Sequence, residues 1–205
     1  MNFLKRAVFW TYNTTNMLQA MSFFPVSLYI AVFATSISSP LSATIVLALF
    51  NVSGVLGQIF IGYLSDVLPY PWIMFSSSLG SAIAAFLLWG FADTLTQVFA
   101  FAIIFGGLAG GFSSVSFAAA SDSASPNPEQ APMAMGASAL VKGLAAIIGP
   151  IISGILLESG KSSSIGSSGS YGKFGFGPVE IFVGSCAMAT SVSSLAVAAT
   201  RRLAA

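Results

Sequence analysis

One lysine dominates the chemistry available to this 205-residue sequence. Lys142 lies tenth in the apolar run 133–157, which carries no other charge. A charge held at that depth costs roughly 2.5 to 3.5 kcal/mol on insertion scales, so its retention points to contact with a substrate or a counter-ion. Ser138, Ala145, Gly149 and Ser153 share its face at helical spacing. Such a small and polar stripe lines a cavity or admits a second helix. The competing reading is a side chain that snorkels to the nearer membrane interface.

Two further rows carry polar groups at the same period. Asn51, Gly54, Gln58, Gly62 and Ser65 lie on one face of an otherwise apolar run, with Gln58 the best-placed ligand. Asn16, Gln19, Ser22 and Tyr29 form another. Lys142, Gln58, Asn51, Gln19 and Tyr29 are therefore the candidates for a solute pathway. For each of the uncharged residues, an interhelical hydrogen bond of about 0.6 kcal/mol explains its presence equally well. Gly106-Gly107 and Gly110-Gly111 form overlapping GxxxG repeats, which strip away side-chain bulk and favour close helix packing. Gly149-Pro150 invites a kink, because proline deletes a backbone donor.

Other chemistries are excluded by what the chain lacks. It has no histidine and one cysteine, Cys186, so imidazole acid–base catalysis, Cys/His zinc sites and disulfide frameworks are ruled out together. Its few carboxylates are dispersed, and no glycine-rich phosphate loop is present. Neither an enzyme, nor a metal, nor a cofactor is expected. Seven basic against six acidic residues leave no electrostatic footprint for nucleic acid.

The elements that position these residues follow from composition. With 56% hydrophobic and 6% charged residues, the chain is built for lipid, where about 20 apolar residues make one helical crossing. Spans are predicted at 17–37, 41–64, 70–91, 95–118, 133–157 and 179–200. The first four carry no charge and the sixth only Glu180 at its edge. The runs show no polar/apolar alternation, so helices and not barrel strands are expected, giving an all-α membrane protein with six transmembrane helices. Residues 1–16 are read as an N-terminal segment, 119–132 as a polar link, the Ser/Gly-rich tract 159–177 as a mobile loop and 201–205 as a tail. Lys5, Arg6, Arg201 and Arg202 outnumber Lys161 and Lys173, which puts both termini in the cytoplasm and the Ser/Gly loop outside, with the plasma membrane the expected location.

These motifs, taken in order, carry a family likeness. LALFNVSGVLGQIFIGYLSDVLPYPWIM resembles the region around helices eight and nine of major facilitator superfamily transporters, with Gly62 and Asp66 in the place of the Gly-x-Leu-x-Asp loop signature. FWTYNTTNMLQAMSFFPVSLYIAVFA, FLLWGFADTL, FGGLAGGFSSVSF and GPIISGILL are similar to the carboxy-terminal half of fungal monocarboxylate-transporter-like proteins. The resemblance implies one six-helix bundle of a twelve-helix carrier, partnered by a missing amino-terminal bundle. It also implies a small organic solute, a monocarboxylate among the candidates, moved by alternating access between the bundles. The first, second, fourth and fifth helices would line the cavity, and Asp66 would help to lock the closed interface. The chain departs from the family pattern where an Asp and an Arg one turn apart are replaced by Gly54 and Gln58, and where Val67-Leu68-Pro69-Tyr70 replace the usual basic residues after the loop acid. The alternative reading is a transport-silent six-helix membrane fragment or interaction protein, in which the Gly and Ser stripes serve packing alone.

Overall fold

A computed structural model describes residues 3–125, 128–163 and 171–204. Among these, six helices are long and apolar enough to span a bilayer: α1 (Ala7–Ile37), α2 (Pro40–Val67), α3 (Tyr70–Trp89), α4 (Leu95–Ala124), α5 (Ala131–Ser162) and α6 (Gly177–Leu203). The fold is all-helical. Pro40 and Pro71 sit in the first turns of α2 and α3, where a missing N–H costs nothing. Thr94 and Gln97 close a reciprocal capping box at the start of α4. Two helices depart from α geometry: α3 ends in a π segment over Ala84–Trp89, and α4 tightens to a 3-10 turn over Phe112–Val115.

The helices run longer than the hydrophobic pattern predicts, and the reasons are local. The first begins at Ala7 and not at residue 17, so most of the expected N-terminal segment is helical. Its polar residues satisfy themselves against the preceding turn. Thr11 donates to Ala7 O at 3.0 Å, Asn13 to Phe9 O at 2.8 Å, Thr14 to Trp10 O at 3.0 Å and Thr15 to Thr11 O at 2.8 Å. This back-bonding lets a polar stretch stay helical. The expected link 119–132 is helical up to Ala124 and again from Ala131, because Ala119, Ala120 and Ala124 are buried. The expected loop 159–177 is also shortened at both ends. Ser159 and Ser162 back-bond to Ile155 O and Glu158 O and extend α5. At the other end Gly172 N–H donates to Gly90 O at 3.0 Å and Phe176 is buried, because Tyr171, Phe174 and Phe176 bring aromatic surface that the Ser/Gly composition hides. Residues 164–170 of that tract lie outside the described residues.

Packing divides the helices into two kinds. The main contacts join α2 to α4, α1 to α6, α3 to α6 and α1 to α5. At the α2–α4 crossing, glycine faces glycine. A Cβ on Gly57 would lie 1.9 Å from Gly107 O, one on Gly110 would lie 2.9 Å from Gly54 Cα, and one on Gly106 would lie 2.6 Å from Phe50 O. No side chain fits between these backbones. The end opposite the termini is filled by aromatic rings, with Trp89 stacked on Phe101 at 5.2 Å and Phe33 edge-on to Phe176 at 5.1 Å. Around these contacts, α2 and α5 remain the open helices. Within their most apolar stretches 28% of α2 and 22% of α5 is buried, against 39% to 56% for the other four.

The two ends of the bundle are tied by charge. At the end bearing both termini, Arg201 pairs with Asp122 at 2.7 Å and lies 5.0 Å over the Tyr70 ring, while Arg6 donates to Asp122 O at 3.0 Å. At the other end Lys173 pairs with Asp93 at 2.7 Å.

Candidate functional site

Lys142 reaches away from its own helix. Its Nζ donates to Ser113 Oγ of α4 at 2.7 Å, and the side chain is half-buried. Ser113 stands in the 3-10 turn that follows Gly110-Gly111, and the tighter winding re-aims successive side chains there. The next residue, Ser114, donates to Gln58 O of α2 at 2.8 Å. The two adjacent serines thus join the Gln58 backbone carbonyl of α2, across α4, to Lys142 of α5 in one polar strip; the Gln58 side chain itself is exposed and takes no part in either bond. Gln58 lies nine residues from the end of α2, Ser113 eleven from the end of α4, and Lys142 eleven from the start of α5. At 1.5 Å per residue these helices are roughly 42 to 48 Å long, so the strip lies about 5 to 7 Å from their midpoints, toward the end that bears the termini.

The electrostatics of the strip are one-sided. Among the described residues no carboxylate lies within 4.0 Å of Lys142 Nζ; the two ion pairs found are both at the bundle ends. One serine hydroxyl satisfies one of three ammonium donors. A cation so placed, half-covered by apolar helices and short of acceptors, is suited to receive an anionic or strongly accepting group.

The other pathway candidates separate. Asn51 is exposed on α2, and its amide is turned back to Leu47 O at 2.8 Å. Tyr29 donates to Pro150 O at 3.2 Å, across the α1–α5 contact. In that contact a Cβ on Gly149 would lie 3.2 Å from Met21 Cα, so the small stripe of α5 admits a helix over part of its length, with Ser138, Ala145, Gly149 and Ser153 all buried. Gln19 does not join the strip. It is 4% exposed and donates to Ala109 O of α4 at 2.7 Å, inside the bundle. A polar residue one turn from Ser22 reads alike from sequence whether its face is open or covered, and here α3, α4 and α6 cover it. Gly62 faces Ser114 at ordinary contact distance, and Asp66 is exposed without an ion pair among the described residues. Ser113 and Ser114 carry the strip although their sequence pattern reads as packing; the available signal is the hydroxyl pair one residue after a glycine repeat, where the helix tightens to a 3-10 turn.

The arrangement of six apolar helices, two of them open and joined by a polar strip, is accompanied by a match of residues 13–166 to the Major Facilitator Superfamily. This chain belongs to the major facilitator superfamily. Superfamily members are transporters and not enzymes, and they work as integral multi-pass proteins of a lipid bilayer on a solute. No curated protein matches the chain. The superfamily assignment covers most of α1, all of α2 to α4 and, with its last residues beyond the end of the helix, the whole of α5.

Proposed function

We propose that this facilitator bundle is the carboxy-terminal half of an alternating-access carrier for a small organic solute, and that the solute passes along the Gln58–Ser113–Lys142 strip. The observation that carries the reading is Lys142: a cation within a membrane-spanning helix, 2.7 Å from a serine hydroxyl, with no acidic partner within 4.0 Å among the described residues. Its cost is explained when a solute supplies the missing acceptors during each cycle. A carboxylate provides two oxygens for the remaining ammonium donors, which favours a monocarboxylate over a neutral solute. The exposed faces of α2 and α5 on either side of the strip suit a second six-helix bundle that would form the opposite wall, and rocking of the two bundles would expose the strip to each side of the membrane in turn.

Uptake into proteoliposomes by the complete carrier tests this. Lys142→Gln is expected to reduce uptake of a small carboxylate at least tenfold, with Lys142→Arg retaining part of it. Unchanged uptake by Lys142→Gln would remove Lys142 from the pathway.

A further inference from the structure

The first and last helices meet in a seam that runs from the end bearing the termini toward the middle of the bundle. Near the termini two hydroxyl pairs close it, Thr11 with Thr200 at 3.1 Å and Thr15 with Ser193 at 2.8 Å. Beyond them it opens into a groove of about 560 Å³. There α6 presents the small residues Ser185, Ala189 and Ser193, while Leu18, Met188 and Val192 give the groove apolar walls. Ser185, Met188 and Val192 are exposed, and neither α2 nor α5, the two open helices, lines the groove. It therefore looks onto the hydrocarbon around the bundle.

The mouth of the seam carries charge that the protein does not answer. Arg6 and Arg201 are both held at Asp122, but the side chains of Lys5 and Arg202 are exposed and have no ion pair or hydrogen bond among the described residues. Arg202 shares a helical face with Val192, Leu195 and Ala199, all exposed. On α1, Trp10 stands on the face of Thr14 and Leu18 at four-residue spacing and is 59% exposed. Its indole N–H donates to Leu4 O at 2.8 Å, which keeps the turn bearing Lys5 beside the ring. A tryptophan so placed marks the boundary between headgroups and hydrocarbon. At 1.5 Å per residue Arg202 lies about 14 to 15 Å along α6 from Ser193 and Val192, one leaflet's share of a hydrocarbon layer about 30 Å thick. We propose that this seam binds one anionic phospholipid from the leaflet on the side of the termini, with its headgroup at Lys5 and Arg202 and an acyl chain passing Trp10 into the groove. The charge decides the lipid class. A zwitterionic lipid, or a helix with no acid at its end, would fill the groove and leave both cations uncompensated, whereas an anionic headgroup supplies the missing charge.

Native mass spectrometry of the full chain in detergent, titrated with dioleoyl phosphatidylglycerol or dioleoyl phosphatidylcholine, tests the assignment. One phosphatidylglycerol is expected to bind about fivefold or more tighter than phosphatidylcholine. Lys5→Gln and Arg202→Gln are each expected to weaken it about fivefold, the factor that one basic residue contributes near an anionic surface, and to leave phosphatidylcholine unchanged. Ala189→Leu, which fills the groove, is expected to weaken both lipids. Equal binding of the two lipids, or charge variants without effect, would overturn the headgroup assignment. Phosphatidylglycerol binding that Ala189→Leu leaves unchanged would reduce the site to adsorption at the basic end and overturn the groove. A dimer that displaces the lipid would put a second copy of the chain there instead. If Ala189→Leu does not fold, Ser185→Leu at an exposed position makes the same test.

Discussion

The strip at Lys142 and the pocket at Gln19 use similar side chains at similar helical spacing, yet one is half-open and the other sealed. The strip crosses α2, α4 and α5, and two of these are the least covered helices in the molecule. The pocket lies where α1, α3, α4 and α6 meet, and every residue that lines it is buried. The strip keeps a charge short of acceptors, while the pocket holds neutral groups that mostly bond to their own backbone. A polar residue within a membrane helix is thus left open or sealed according to what covers its face. Its type alone does not decide.

This contrast can be broken first at the wall between α2 and α4. Gly57→Val should cost about 3 kcal/mol or more, because even its Cβ would meet Gly107 O at 1.9 Å. The measurement is the yield of folded monomer after extraction, and normal yield would show that the helices separate freely. Adding a methyl on the open helix should do nothing comparable. At Gly136 and Gly143 of α5 a Cβ would meet nothing within 4 Å, so Gly143→Ala should leave stability within about 0.5 kcal/mol of wild type.

Lys142→Gln sharpens the comparison from the other side. Removing a costly intramembrane charge should leave Tm unchanged or raised while carboxylate uptake falls at least tenfold. A Tm that falls together with uptake would make Lys142 a structural residue. The smallest effect is expected at the bundle end: Arg201→Ala breaks a pair whose side chains are 41% and 31% exposed, and unfolding should show a loss of about 1 kcal/mol or less, shrinking in high salt.

Much of this architecture is legible in the residues, because six charge-poor apolar runs leave helices as the economical way to satisfy the backbone in lipid. The helix ends are harder to read. Thr11, Asn13 and Thr15 look like a boundary by hydropathy, and only their hydrogen bonds to the preceding turn show why the helix continues through them. Tyr171, Phe174 and Phe176 are similarly lost in the average of a Ser/Gly tract, although Phe176 packs into the aromatic core. At the site, Lys142 stands out because charge is rare in a span. Its partner Ser113 does not, since a serine beside a glycine repeat reads as packing until the 3-10 turn turns it toward α5. Gln19 is the reverse case: the period places it on a polar row, but which neighbours cover that row is a tertiary fact, and here its amide makes the interhelical hydrogen bond.

Cysteine accessibility tests the central contrast most directly. Cys186 is the sole cysteine of this chain, so Cys186→Ser leaves the six-helix bundle free of thiols. In the carrier proposed above, Ser113→Cys and Gln58→Cys should react with a membrane-impermeant methanethiosulfonate and be protected by the transported solute, while Ser22→Cys in the sealed pocket should not react. Equal labelling at Ser22 and Ser113, or labelling at Ser113 that solute leaves unchanged, would contradict the account.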